Sequence, residues 1–323
     1  MRMPYSLRCL LQVVPVVLAI AVLNFFLLRL APGDMADVMA GEAGAATPEY
    51  LAQLRSQFGL DQPVSTQFAG YLNKLLHFDL GWSFRNGQSV ASLILERLPA
   101  TALLMVLALA AAALIGCALG TVSGVTRWRW LDILISTLAT IGFATPLFWL
   151  GLMLIVLFSV HLSWLPSSGM VTLGVPLAGW AYVADLTRHL ALPVGCLTVY
   201  YIAIYARLMR TSVNEVSRLD FVRTARAKGL SGRATVTGHV IPNALLPIVT
   251  MTALQFGALF SGSVAIETVF GWPGLGQLAL NAVTSRDLNL LLGILFMSSL
   301  FVLLVNLLTD LAYAWFDPRV ELQ

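Results

Sequence analysis

Charged side chains are scarce in this chain. Only 11% of its 323 residues are Asp, Glu, Lys or Arg, whereas a soluble domain carries about 25%. Hydrophobic residues make up 58%, and the mean hydropathy is +0.83. This composition excludes an ordinary water-soluble domain and indicates that most of the chain lies in a lipid bilayer. The formal net charge of +3 is too small to indicate a nucleic-acid partner.

Cysteine and histidine are also few. The three cysteines all lie inside apolar runs, at Cys9, Cys117 and Cys196. There they act as small buried hydrophobes, and no disulfide is expected. The four histidines are scattered, at His77, His161, His189 and His239. Neither residue type has the spacing of a metal site, so no metal site or proton relay is predicted.

Only two lysines are present, and their context excludes one enzymatic activity. Lys74 follows Asn73 and Lys228 follows Ala227, whereas the Walker A motif of ATPases requires Gly-Lys-Ser or Gly-Lys-Thr. The chain is therefore not expected to be an enzyme. Any ATP hydrolysis that drives it must take place on other subunits.

The chain contains several long apolar segments that have no charged residue. A transmembrane helix needs about 20 mainly apolar residues, and an Asp, Lys or Arg at its centre costs about 3 kcal/mol. Six runs meet this requirement, at 9–28, 98–126, 133–160, 190–206, 240–266 and 288–309. The run at 190–206 is the shortest. The predicted fold class is an all-α polytopic membrane protein with six transmembrane helices.

The basic residues set the orientation. Most of the 19 Lys and Arg fall on the cytoplasmic side if the N-terminus is cytoplasmic, which also places the C-terminus there. A cleaved signal peptide is the alternative for the first run, but that run exceeds the 7–15 apolar residues of a signal peptide and no A-x-A site follows. The predicted parts are therefore the cytoplasmic N-terminus and first helix (1–30), an extracytoplasmic segment (31–97) and a five-helix core (98–323) with a cytoplasmic loop (207–242).

The extracytoplasmic segment predicts two short helices. Thr47 is a candidate N-cap, with Pro48 at the first helical position and Gly59 just past the end. A second amphipathic stretch covers residues 64–75. These helices either pack against the membrane spans or form a docking surface for a soluble protein outside the membrane, and composition favours the packing role.

The cytoplasmic loop contains a short basic helix. Asp220 is expected to cap a helix from Arg223 to Lys228, and Gly229 to end it. Small residues at Thr224 and Ala227 would let another surface approach closely. A second helix is expected from 233 to 240, leading into the fifth span. Basic loops are ordinary on the cytoplasmic side, so charge alone predicts no function here.

The spacing of this loop carries more information. Residues 223–242 resemble the E-A-A-x3-G-x9-I-x-L-P loop of ABC importer permeases, with Arg223 in place of the glutamate and His239 in place of the isoleucine. Residues 223–230 read R-T-A-R-A-K-G-L, as in the peptide and nickel branch. Further similarities to that branch lie at 30–34, 59–63, 79–83, 146–149, 267–276, 306, 310 and 317–319. The chain is thus similar to this family over nearly its whole length.

This resemblance implies a type I ABC importer permease fold in a bacterial inner membrane. It implies three kinds of partner: a second homologous permease that completes a heterodimer, two cytoplasmic ATPase subunits that hold the ATP and Mg, and an extracytoplasmic substrate-binding protein. No cofactor is expected on this chain. The cargo is expected to be short peptides, with nickel, a metal chelate or opine, or glutathione as alternatives. The implied ATPase-coupling residues are Asp220, Arg223, Thr224, Ala225, Arg226, Ala227 and Gly229.

Three further sites are candidates for function. Glu267 and the turn formed by Trp272, Pro273 and Gly274 either line a gate or contact the binding protein, or they are only an interfacial anchor and a turn. Asn306 and Asp310 share one face of the last helix and form a candidate intramembrane polar contact. Pro146 is expected to break the third helix, either beside the pathway or for structural reasons alone.

Three other classes of membrane protein compete with the importer. An ion-coupled secondary transporter needs charges or broken helices near the midplane, and the runs contain essentially no charges. An intramembrane protease needs paired acids or a histidine inside a span, and the sequence offers neither. A pore is not excluded by composition, but it would leave the cytoplasmic loop without a purpose.

Overall fold

A computed structural model of the protein describes the backbone of residues 5–30, 36–37, 47–57, 59–126 and 128–316. Side-chain surroundings are described within these ranges except at 5–12, 258–262 and 309–316. The chain forms two compact units. One consists of Met1–Arg97 with Leu278–Gln323, and the other of Leu98–Gln277. The predicted turn at 31–34 and the motif at 317–319 lie outside the described residues.

The first unit contains the two ends of the chain. Its helices and strands are α1 (Tyr5–Leu30), α2 (Pro48–Gln57), α3 (Val64–Leu76), β1 (Trp82–Ser83), β2 (Gln88–Ser89), the start of α4 (Val90–Val125), most of α12 (Leu275–Thr284), and α13 (Leu288–Phe316). The N–H of Tyr50 donates to Thr47 Oγ1 at 3.4 Å, and Gly59 has φ of +66°. The predicted start and end signals of α2 are therefore confirmed.

Helix α1 and a short hairpin pack against α13, and α3 packs against α1. The ring of Phe25 in α1 lies edge-on to Phe68 of α3, with centroids 5.1 Å apart. The antiparallel strands β1 and β2 hold Ser83, whose hydroxyl donates to Asp287 at 2.5 Å. Asp287 also accepts the N–H of Leu290 and so caps α13. The family-like segment at 79–83 is thus part of a contact that fixes the start of the last helix.

The second unit contains most of the remaining helices. Its elements are the rest of α4, α5 (Arg129–Ala144), α6 (Leu147–Leu154) with a π-helical continuation (Ile155–His161), α7 (Trp180–Val216), α8 (Asp220–Ala227), α9 (Gly232–Thr235) with a π-helical turn (Val236–Val240), α10 (Ile241–Ala244), α11 (Leu246–Val269) and the start of α12. The sequence expectation of a helix at 233–240 is met, but its second half has the wider π geometry.

Among the described residues, four helices are long and apolar enough to cross a membrane: Val13–Leu30, Val90–Val125, Trp180–Val216 and Leu288–Leu308. Two bent helix pairs raise the number to six if each counts as one span. The pair Gly232–Ala244 and Leu246–Gly257 bends by 40°. The predicted third span was expected as one run, but Arg129–Ala144 and Leu147–His161 meet at 101°. Pro146 causes this bend because it lacks an N–H and holds Thr145 in an extended conformation with ψ of 129°.

The predicted fourth span is much longer than its apolar run. Helix α7 has 37 residues and is therefore about 55 Å long. It packs closely against α4, because Gly116, Gly120 and Gly124 of α4 have no side chain in the way. A Cβ at Gly120 would lie 2.8 Å from Met209 Cβ and would overlap the carbonyl oxygen of Ala206. Glycines four residues apart allow such close helix packing in membranes.

Candidate functional site

The basic helix expected in the cytoplasmic loop is α8. It begins one residue after Leu219, whose extended backbone (φ −71°, ψ 151°) makes it the N-cap. The expectation that Asp220 caps this helix is wrong, because Asp220 is already the first helical residue and no side chain caps the end. Its carboxylate remains favourable there, since negative charge near a helix N-terminus interacts well with the helix dipole.

Gly229 ends α8 in a Schellman motif. The N–H of Leu230 donates to the carbonyl of Ala225 at 3.3 Å, and that of Gly229 donates to Arg226 at 3.0 Å. Gly229 has φ of +84°, and a Cβ there would meet no atom within 4 Å. Glycine is thus favoured here because the backbone has a positive φ, and not because a larger side chain would clash. The expected end of the helix at Gly229 is confirmed.

One face of α8 is anchored in the second unit. Val222 is fully buried and belongs to the main hydrophobic core, and Ala225, three residues on, is 7% exposed. The other predicted coupling residues, Asp220, Arg223, Thr224, Arg226, Ala227 and Gly229, are exposed. The small residues Thr224 and Ala227 thus lie on an open surface. Ala225 does not, so it cannot contact a partner in this conformation.

The exposed surface of α8 is cationic. Arg223 lies 3.4 Å from Asp220, but both side chains are largely exposed, at 72% and 95%, so this ion pair contributes little to stability. No ion pair joins Arg226 or Lys228 to any acid among the described residues. The side of α8 that faces away from the core therefore exposes arginine and lysine groups.

The chain after α8 connects it rigidly to the fifth span. Ser231 caps α9 by accepting the N–H of Ala234 at 3.3 Å. Thr235, Val240 and Ala244 then point into the unit with no exposed surface. Helix α8 and the path from α9 to α11 therefore share one packed core.

A second polar site surrounds Glu267, near the end of α11. Its carboxylate is fully buried and accepts the Thr101 hydroxyl at 2.8 Å and the N–H of Gln277 at 3.0 Å. Thr101 in turn accepts the N–H of Leu275 at 2.7 Å. Glu267 and Thr101 thus satisfy the free N–H groups of the first turn of α12 and connect them to α4.

The turn between α11 and α12 closes over this carboxylate. A Cβ at Gly274 would overlap the Glu267 carboxyl group, and one at Gly276 would lie 2.7 Å from Val264 Cα. Trp272 is fully buried, and its indole N–H donates to the carbonyl of Ala100 at 2.9 Å. Trp272 is therefore not an interfacial anchor, and Glu267 and Trp272 cannot contact a binding protein in this conformation. A gate role for this turn, which includes Pro273, remains a prediction.

The structure also shows a polar contact that the sequence did not predict. Asp132 of α5 accepts from Arg210 of α7 at 2.5 Å and from the Ser123 hydroxyl. A lone acid in an apolar helix is the only signal the sequence contains for it. Asn306 is exposed, and the side chain of Asp310 lies outside the described residues. Their predicted polar contact stays a prediction.

Comparison with known proteins identifies the family. Residues 116–322 match the family model of the binding-protein-dependent transport system inner membrane component, and residues 3–105 match the model of its N-terminal region. A Brucella suis biovar 1 (strain 1330) protein named for a peptide transport system is 41% identical over 96% of both chains. The DdpB protein of Escherichia coli strain K12, named for D,D-dipeptide transport, is 39% identical over 94% of both chains.

Other relatives and solved structures agree. The glutathione transport system permease protein GsiC of Salmonella paratyphi A is 39% identical over 98% of both chains. A chain of the MetNI methionine ABC transporter shares the fold, with a TM-score of 0.53 and 19% identity over 68% of this chain and 94% of that one. The fold is therefore that of a type I ABC importer permease. With family matches that together run along nearly its whole length, the chain belongs to the family of binding-protein-dependent transport system inner membrane components.

Proposed function

We propose that this chain forms half of the translocation pathway of an ATP-driven importer of short peptides, and that α8 is the part through which the ATPase subunits act on it. The observation that carries the coupling proposal is the geometry of α8. One face is anchored in the core through Val222. The opposite face exposes Arg223, Arg226 and Lys228, and among the described residues the only acid paired with any of them is the exposed Asp220, beside Arg223.

The other components of the importer follow from the family to which this chain belongs. It has no Walker A sequence, so ATP and Mg²⁺ bind on two separate cytoplasmic ATPase subunits. A second, homologous permease completes the pathway as a heterodimer, and an extracytoplasmic binding protein delivers the cargo. No cofactor is proposed for this chain. Both of its termini, and the loop 207–242, face the cytoplasm, because that orientation places most of the basic residues inside.

Coupling then operates by rigid-body movement. Closure of the ATPases moves α8, and the buried contacts of Val222 and Ala225 pass this movement to the packed helices of the second unit. ATP shifts the pathway between inward- and outward-facing states only as far as the ATPases bind one state more tightly than the other. An acidic cleft on the ATPase that receives Arg223 and Arg226 supplies this difference.

Replacing Arg226 with Glu is expected to remove the ATPases from the purified complex. The change reverses the charge of an exposed side chain that makes no ion pair among the described residues, so the chain itself should fold normally. Mass spectrometry of the gently solubilised, tagged chain is expected to find a second permease and two ATPases with the native protein. With Arg226→Glu the second permease should remain and ATPase recovery should fall at least about tenfold, as for truncation of a paired interface charge.

The matched control is Arg233→Glu, which reverses an exposed arginine of the same loop on α9. It is expected to retain the ATPases. If both variants lost the ATPases equally, the cause would be the change in charge of the loop and not specific binding of the ATPases to α8. If the native chain purifies alone and still transports or conducts in liposomes without ATP, the importer proposal is wrong and a pore or secondary carrier replaces it.

Short peptides are the proposed cargo because several relatives at 39–41% identity are named for peptide or dipeptide transport. Glutathione, itself a tripeptide, is the second candidate because GsiC is similarly close. In proteoliposomes holding the complete importer and its binding protein, labelled di- and tripeptides should accumulate only with ATP. Excess unlabelled peptide should reduce this uptake, whereas Ni²⁺ should not. If only glutathione reduced the uptake, glutathione would be the cargo. If only Ni²⁺ reduced it, the assignment of peptides as cargo would be refuted.

A further inference from the structure

The connection between α4 and α5 exposes two stacked tryptophans beside an arginine. The rings of Trp128 and Trp130 lie 6.2 Å apart and nearly parallel, at 19°, and the two side chains are 65% and 61% exposed. Arg129 lies between them in sequence and is exposed as well. These three side chains are not part of the buried core, and the coupling proposal gives them no role.

An apolar stripe begins at Trp130 and continues along α5. Its members recur every three or four residues and are each about half exposed, at Ile133, Leu134, Leu138 and Ile141. From Trp130 to Ile141 the helix rises about 17 Å, close to the roughly 15 Å thickness of the hydrocarbon layer of one leaflet. The stripe therefore has the length of a lipid acyl chain, and its end has the aromatic character of the membrane interface.

Within the part of the chain that the structure describes, no acid neutralises the charge at the end of the stripe. The nearest acid along α5 is Asp132, whose carboxylate is occupied by Arg210 and Ser123 and is only 19% exposed. No ion pair involves Arg129 among the described residues. An arginine guanidinium recognises phosphate through several donors at once, and indole rings favour the headgroup region. An apolar stripe ending in two indoles and a free guanidinium matches a phospholipid with a net negative headgroup.

We propose that Trp128, Arg129 and Trp130, with the apolar stripe of α5, form a binding site for an anionic phospholipid of the cytoplasmic leaflet. The choice of leaflet rests on the proposed orientation of the chain, and the site does not depend on the cargo. An ATPase is a less suitable occupant because only residues 126–128 separate α4 from α5, so the tryptophans lie at the ends of the spans and do not protrude. The connection that contains α8, residues 217–231, is much longer.

Tryptophan fluorescence tests the site in the intact importer. The complex is placed in nanodiscs of phosphatidylcholine in which brominated phosphatidylglycerol or brominated phosphatidylcholine is titrated. The chain has other tryptophans, so the signal of the pair is the difference between the native protein and a Trp128→Phe, Trp130→Phe variant. Brominated phosphatidylglycerol is expected to quench this difference signal at lower mole fraction than brominated phosphatidylcholine.

Arginine variants then separate specific binding from general exposure to lipid. Arg129→Gln should raise the phosphatidylglycerol fraction needed for half-quenching about fivefold, as expected for one basic residue at an anionic surface. Arg286→Gln removes an exposed arginine from the first unit and should leave it unchanged. Equal quenching by the two lipids, or equal behaviour of Arg129→Gln and the native protein, would overturn the proposal. Co-purification of the partner subunits with each variant checks that the complex is intact.

A photoreactive benzophenone amino acid at position 130 identifies what covers the site in the assembled complex. A cross-linked phospholipid is the expected product, with phosphatidylglycerol in excess over its share of the membrane. A cross-link to the second permease or to an ATPase would show that this surface is a protein interface and would overturn the proposal. Because the readout is lipid or protein adduct and not transport, failure here leaves the importer proposal standing.

Discussion

Replacing Glu267 with Ala is expected to destabilise this permease more than any substitution on the exposed face of α8. The buried carboxylate accepts hydrogen bonds from Thr101 and from the N–H of Gln277, and alanine leaves these donors buried without a partner. Leaving two such donors without an acceptor should cost about 3 kcal/mol. The midpoint of thermal unfolding of the purified chain in mild detergent should therefore fall by several degrees, with a lower yield of monodisperse protein.

Two further variants sharpen this test. Glu267→Gln keeps the shape but offers one acceptor oxygen in place of two, so its midpoint should lie between those of alanine and the native residue. Thr268→Ala is the matched control, because Thr268 is the adjacent residue, is exposed, and its hydroxyl bonds only the carbonyl of Val264 in its own helix. An unchanged midpoint for Glu267→Ala would mean that the carboxylate does not hold the α11–α12 turn.

Adding one methyl group at Gly120 is expected to disrupt the packing of α4 on α7. The new Cβ would lie 2.8 Å from Met209 Cβ and would overlap the carbonyl oxygen of Ala206. Backbone atoms cannot rotate away, so the two helices must separate along their contact. Overpacking of this kind costs about 1–3 kcal/mol, and more where backbone must move. Gly120→Ala should therefore lower both the unfolding midpoint and the yield of folded chain.

Gly195→Ala is the control, and it is expected to keep or raise the stability of the folded chain. Gly195 lies inside α7, and a Cβ there would meet no atom within 4 Å. Alanine favours a helix over glycine by about 1 kcal/mol, so this variant should be as stable as the native chain or more so. The same unfolding measurement serves for both variants. Equal destabilisation at the two positions would refute close packing at Gly120 as the cause.

The helix α8 surface and the Glu267–Trp272 turn have different roles in the structure. The loop around α8 is exposed and cationic, as a docking element should be. The Glu267–Trp272 turn has its acid and its indole inside the protein, where they fix local structure. Loss of ATPases without loss of stability is therefore the expected signature of Arg226→Glu, and loss of stability is that of Glu267→Ala.

Local sequence patterns were enough to predict several elements. The helix at Pro48–Gln57 begins and ends where Thr47 and Gly59 indicated, because caps and positive-φ glycines act within a few residues. Gly229 ends α8 for the same reason. Asp220 was misassigned as a cap because the cap depends on backbone conformation, and Leu219 is the residue with extended φ and ψ.

The bend of 101° at Pro146 is a feature whose size the local sequence pattern could not predict. The proline indicated a break, but its angle depends on how the two half-helices pack. Helix α7 likewise continues well beyond its apolar run, since its polar ends are held by contacts such as that between Arg210 and Asp132. The four-residue spacing of Gly116, Gly120 and Gly124 was visible in the sequence, but not which helix would approach it.

Composition and short-range spacing by themselves determined that the chain spans a membrane, that it lacks the lysine of an ATPase, and that it carries a basic helix ended by glycine. These properties depend on the solvent preference of long runs and on backbone conformation within one turn. Only the tertiary structure decided that Glu267 is buried, because its partner Thr101 lies 166 residues away in the chain. It likewise decided that Asp132 is paired and that Trp128 and Trp130 remain exposed. A local sequence pattern does not predict which distant residues pack together in the core and which remain exposed at the surface.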